Sequence, residues 1–122
     1  MITNTSVTIY TLTDSGYKRK FVPEAWWEET ETADTEKNGL TQAERVSLLI
    51  PYKSAGELEL KKGKDFICKG DVKFEFDNSS EQSQAQSMKE FRNLYGAPHT
   101  VTAFNKLLFG SENMRHYEIS LK

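Results

Sequence analysis

Apolar and polar residues alternate along most of this chain, and the period of that alternation predicts the elements. "VTIYTL" (Val7 to Leu12) is rich in β-branched and aromatic residues and reads as a strand, with "SGY" (Ser15 to Tyr17) turning after it. "KRKFVPEAWWEE" continues as extended chain. Pro23 cannot donate to a ladder, so this strand is expected at an edge or with a bulge. "RVSLLIPY" places Val46, Leu48 and Ile50 on one face and ends at Pro51. "GELEL" alternates Leu58 and Leu60 with Glu57 and Glu59. "DFICKGDVKFEFD" sets Val72, Phe74 and Phe76 against Lys73, Glu75 and Asp77, the clearest strand pattern in the chain.

One stretch keeps a helical period. In "SSEQSQAQSMKEFRNLYGAP", Ala85, Met88, Phe91 and Tyr95 share a stripe, which predicts one helix over about residues 80–95, about four turns long. Ser79 and Gln82 have capping-box spacing; Gly96 and Pro98 end the helix. "HTVTAFNKLLF" then resumes extended structure, Gly110-Ser111 turns it, and "MRHYEISLK" closes the chain. In that last strand Arg115, Tyr117, Ile119 and Leu121 share one face, while Met114, His116, Glu118 and Ser120 share the other. Arg115, His116, Tyr117 and Glu118 look like a reactive cluster, but the pleat divides them between two surfaces.

The expected fold is mainly β: a small, partly open β-barrel or sandwich of six or seven strands, with one α-helix plugging an end or crossing a face. A length of 122 residues suits a single domain spanning 1–122. Glu29 to Glu44 is polar throughout and reads as a hairpin tip or a long loop, with Asn38-Gly39 suited to a tight reversal. Long polar loops in small domains more often carry function.

Charge and chemistry narrow the function. The net charge of −2 offers no global attraction for nucleic acid or an anionic membrane. No apolar run approaches the ~20 residues that span a bilayer, and no signal peptide is expected at "MITNTSVTIY". His99 and His116 have no metal-ligand spacing, and Cys68, the only cysteine, reads as a small buried hydrophobe. Neither a phosphate loop nor a nucleophile elbow occurs. Lys61, Lys62 and Lys64 around Gly63 read as a turn before a strand, with phosphate contact as the alternative. No metal, cofactor or catalytic residue is expected. Trp26 and Trp27 should face opposite sides, one in the core and one free to anchor a partner; burial of both is the alternative.

Taken in order, "VTIY", "WWEETE", "VSLLIP", "GKDFICKGDVKFEF", the helix, "TVTAF" and "FGSENMRHYEISLK" resemble small proteins of the structural modules of tailed bacteriophages and prophages, those assigned to head–tail joining, head closure, or minor capsid and tail components. The resemblance covers nearly the whole chain. It implies a non-enzymatic virion protein, made in the bacterial host cytoplasm, that assembles as an oligomeric ring at the head–tail connector. Its partners would be adaptor, connector and tail proteins and further copies of itself, with packaged DNA passing through without sequence-specific contact and no membrane involved. The resemblance also implies a monomer in isolation that forms its ring on the adaptor. Interface residues expected on this basis are Trp26, Trp27, Glu29, Glu31, Asp34, Glu36, Lys37, Asn38, Gly39, His116 and Glu118. A tail terminator or tube-associated protein is the first alternative. A small ligand-binding or hydrolytic barrel using His116, Tyr117 and Glu118 is the second.

Overall fold

A computed structural model describes the backbone of residues 3–36, 39–96 and 98–122, and the side chains of these apart from 30–44. Six strands, β1 (Thr5–Thr13), β2 (Gly16–Glu36), β3 (Gly39–Pro51), β4 (Phe66–Lys69), β5 (His99–Leu107) and β6 (His116–Leu121), close an antiparallel barrel in the order β1-β2-β3-β6-β5-β4. The expected small barrel is therefore present, and it is closed. The β1–β2 turn needs Gly16: its φ is +102°, and a Cβ there would collide with the Asn78 side chain. Asn78 instead bonds both backbone groups of Tyr17.

β2 changes partner halfway along. It pairs with β1 from Gly16 to Ala25 and with β3 from Trp26 to Glu36. Just before that change, around Pro23, the register slips between Val7↔Val22 and Thr5↔Ala25. Proline has no N–H to give the ladder, so the extra residue sits there as a bulge.

The interior is filled by alternate residues of each strand. Val7, Ile9, Val22, Trp27, Val46, Leu48, Ile50, Ile67, Val101, Tyr117, Ile119 and Leu121 form one cluster. A short helix, α1 (Tyr52–Ala55), and the chain after it add Ala55, Leu58 and Leu60. "GELEL" is thus buried alternately, as its pattern suggests, but it is not a strand. Its leucines pack on the barrel core, and the backbone joins no ladder.

The same correction applies, more sharply, to "DVKFEFD". Only Phe66–Lys69 forms a strand, β4, and residues 71–78 are extended without ladder pairing. This segment is a strap across the outer face of β1. Side chains hold its backbone: Val72 N–H donates to Thr8 Oγ1 at 2.9 Å, Arg19 Nε to Val72 O at 2.6 Å, and Tyr10 Oη to Phe74 O at 2.5 Å. Beyond it lies the main helix, α2 (Glu81–Tyr95). Tyr10, Phe66, Val72, Phe76 and Phe91 make a second core between strap, helix and barrel, with Tyr10 stacked on Phe66 at 4.9 Å and edge-on to Phe91 at 5.7 Å.

The helix crosses a face of the barrel. Its N-cap is Ser80, whose side chain accepts from Ser83 N; Ser79 bonds Asp77 instead, so the cap sits one residue later than the expected Ser79–Gln82 box. The stripe is also narrower than its pattern implies. Phe91 is buried and Met88 half-buried, whereas Ala85 and Tyr95 are exposed and Ser87 takes a buried place by binding Asp77 N at 2.9 Å.

Candidate functional site

The polar stretch at 29–44 is not an irregular loop. β2 and β3 pair continuously through it, from Glu29↔Val46 to Glu36↔Gly39. Lys37 and Asn38 lie outside the described residues, and Gly39 opens β3. β6 accompanies β3 only from Val46 onward, and β1 leaves β2 at Ala25. From Thr30 to Arg45 the hairpin therefore has two strands and, among the described residues, no third. The six steps of β2 from Thr30 to Glu36, at ~3.4 Å each, carry it about 20 Å beyond the barrel.

Its base is fastened with care. Asn4 takes over where β1 stops: its Nδ2 donates to Trp27 O at 2.9 Å and its Oδ1 accepts from Trp27 N at 2.8 Å. One side-chain amide thus imitates a strand residue and satisfies the last covered position of that edge. Trp27 is in the core; its indole N–H donates to Glu29 Oε1 at 3.0 Å, and its ring meets His99 edge-on at 5.3 Å. These residues border a cleft of about 200 Å³ closed by Cys68, Phe91 and Tyr95. Cys68 is half-buried, less covered than the expected buried hydrophobe, and desolvation pushes its thiol up to about 12, so the group is a neutral thiol.

Trp26 takes the other face, as expected of neighbouring strand residues, and is half-buried. The register aligns it with Leu49, Glu118 and Asn105 across four strands. His116 belongs to the next row, with Pro51 and Leu107. The structure thus gathers Trp26, His116 and Glu118 on one outer face, while Trp27 points inward. Glu31, Asp34 and Glu36 belong to the projecting β2. The tip is at the other end of β3 from His116, so the expected interface divides into a hairpin and a sheet face.

His116, Tyr117 and Glu118 do not converge. Tyr117 is fully buried and its hydroxyl donates to Gly56 O at 2.6 Å; His116 Nδ1 lies 2.8 Å from Met114 O and Nε2 3.5 Å from Glu118. Among the described residues, no group of three His, Cys, Asp or Glu side chains could hold a metal, and no helix is long and apolar enough to cross a membrane.

Sequence reasoning missed Asp65. It is buried, and its carboxylate accepts from Leu12 N at 2.8 Å and Lys61 N at 2.7 Å, fixing the lysine turn to β1. The signal was an acid directly after a Gly-containing turn.

Comparison adds no curated protein and no solved structure that matches the chain. A family profile does match, from residue 2 to residue 122. Barrel, strap, helix and hairpin all fall within that span, and the chain belongs to the family of unknown function DUF6751.

Proposed function

We propose that this protein is a non-enzymatic structural subunit of a tailed-phage virion, working in a ring at the head–tail junction. The observation that carries the reading is the two-stranded hairpin standing clear of a closed barrel. An isolated two-stranded ribbon is marginal in water, so its projection makes most sense where an assembly surrounds it. Its sequence has five carboxylates and one lysine over 29–44. Such a lining lets DNA phosphates pass without holding them. The half-buried Trp26 and Leu49, with Glu118 and His116 beside them, supply a mixed apolar and charged face of the kind adaptor or tail proteins would meet. The protein would be made in the host cytoplasm and end in the particle.

The test is deletion of Thr32 to Gly39 in a phage carrying this gene. The shortened protein should keep its circular dichroism, and its heads should leak DNA or fail to take tails. A wild-type yield of infectious particles overturns the reading. Antibody label found along the tail, away from the junction, reassigns the subunit to the tail.

A further inference from the structure

The hairpin end of the barrel is divided by charge. Beside the acidic hairpin, β3, β6 and β5 border a shallow groove of about 520 Å³ that includes Arg45, Ser47, Thr102, Ser120 and Lys122. Val46 and Leu121, the innermost residues there, are buried; Arg45, Ser47, Thr102, Ser120 and Lys122 are exposed. Leu121 pairs with Val46 in an antiparallel register, so Arg45 and Lys122 stand across from each other at the rim of adjacent strands. The lysine turn continues the strip: Gly63 N–H donates to Val101 O at 2.8 Å, which places Lys62 and Lys64 beside β5. Among the described residues, none of Arg45, Lys62, Lys64 and Lys122 is in a salt bridge. The Asp65 carboxylate beneath the turn is occupied by backbone N–H groups.

We propose that this groove receives the acidic hairpin of a second copy of the chain. A cationic rim and a carboxylate-rich ribbon complement each other, and both belong to the same end of every subunit. The ribbon reaches about 20 Å, far enough to lie across a neighbour's rim. Each copy offers a ribbon and a groove that are different surfaces, so the contact is head-to-tail and repeats into a ring when the rotation closes. Hydroxyls of Ser47 and Ser120 can donate to carboxylates already drawn in by charge, while the Thr102 hydroxyl donates to Ser120 O at 3.1 Å and stiffens the groove floor. Phosphodiester is the weaker candidate, because the four acids of the adjoining hairpin, Glu31, Asp34, Glu36 and Glu44, repel it. The inference rests on the ring-subunit reading and supplies its contact. A single polar contact of this kind is weak in free solution and strengthens when a platform holds the copies together.

The experiment is sedimentation of purified full-length protein at high concentration, at ~0.01 M and ~1 M salt, where charges act over about 30 Å and about 3 Å. Wild type should show heavier species at low salt that disappear at high salt. A groove variant, Arg45→Glu with Lys122→Glu, and a hairpin variant, Glu31→Lys with Asp34→Lys, should each stay monomeric alone. Mixed together they should associate again, since each then meets the opposite charge. Circular dichroism of both variants confirms that the barrel has formed. Wild type monomeric at both salts, variants that associate as wild type does, or a mixture that stays monomeric would each overturn the proposal. So would short duplex DNA binding wild type and not the groove variant while self-association is absent. Position in the virion is read separately: a protein that passes these tests but is missing from the junction keeps the contact and loses the location.

Discussion

β1 and the β2–β3 hairpin are both antiparallel β-structure, yet they are held in opposite ways. β1 has a strand on each edge, the barrel core on one face, and strap and helix on the other; Val7 to Tyr10 are all buried. The hairpin beyond Thr30 has neither a third strand nor a covering layer among the described residues. Stability is therefore concentrated on the side that carries the aromatic cluster, which leaves the other side free to be shaped by what it contacts.

That contrast is open to measurement. Phe91→Ala empties the centre of the aromatic cluster and should cost about 3–5 kcal/mol by urea unfolding; a cost near zero would mean that the helix is an ornament. Asn4→Ala unpairs both backbone groups of Trp27 at the hairpin base and should cost about 2 kcal/mol, from two hydrogen bonds at about 1 kcal/mol each. Tyr10→Phe removes the hydroxyl bond to Phe74 O and should cost about 1 kcal/mol at neutral pH. Burial raises the Tyr10 hydroxyl from its ordinary 10.0 to about 12. A folded-state value above the unfolded one gives stability that is complete below pH 10 and is lost as pH rises toward 12. Unfolding midpoints should fall through that window in wild type and fall less in Tyr10→Phe. Removal of Thr32 to Gly39 should change stability least, by about 0.5 kcal/mol or less, since surface changes away from buried features usually stay within that range. A large loss there would show that the ribbon braces the barrel.

Much of this was legible in the order of residues. Period-two patterning places Tyr117, Ile119 and Leu121 inside and His116 and Glu118 outside, and the strand bears this out. Pro23 marks the bulge. What patterning cannot convey is hydrogen-bond partnership. Val72 and Phe76 are buried alternately, as in a sheet, but Thr8, Tyr10 and Arg19 side chains stand where a neighbouring strand would be. Alternation records which side of the backbone is dry, and a strap laid over a barrel dries one side as well as a ladder does. Asp65 escaped for a related reason, because its two acceptors serve residues far apart in sequence. In the functional region, the acidic run and the Trp pair stood out at once. The row joining Trp26 to Glu118 runs through two successive registers, Trp26↔Leu49 and Leu49↔Glu118, and has no local signature.

β2 is one continuous strand from the barrel wall into the projecting ribbon, which has a mechanical consequence. A pull along the ribbon is transmitted to the Gly16–Ala25 ladder on one side and the Val46–Pro51 ladder on the other. Both are then loaded lengthwise, with their bonds sharing the force in parallel instead of opening one after another. Tension applied at the tip should accordingly meet higher resistance than the same force applied across the strands, a difference that single-molecule stretching from paired anchor points can read.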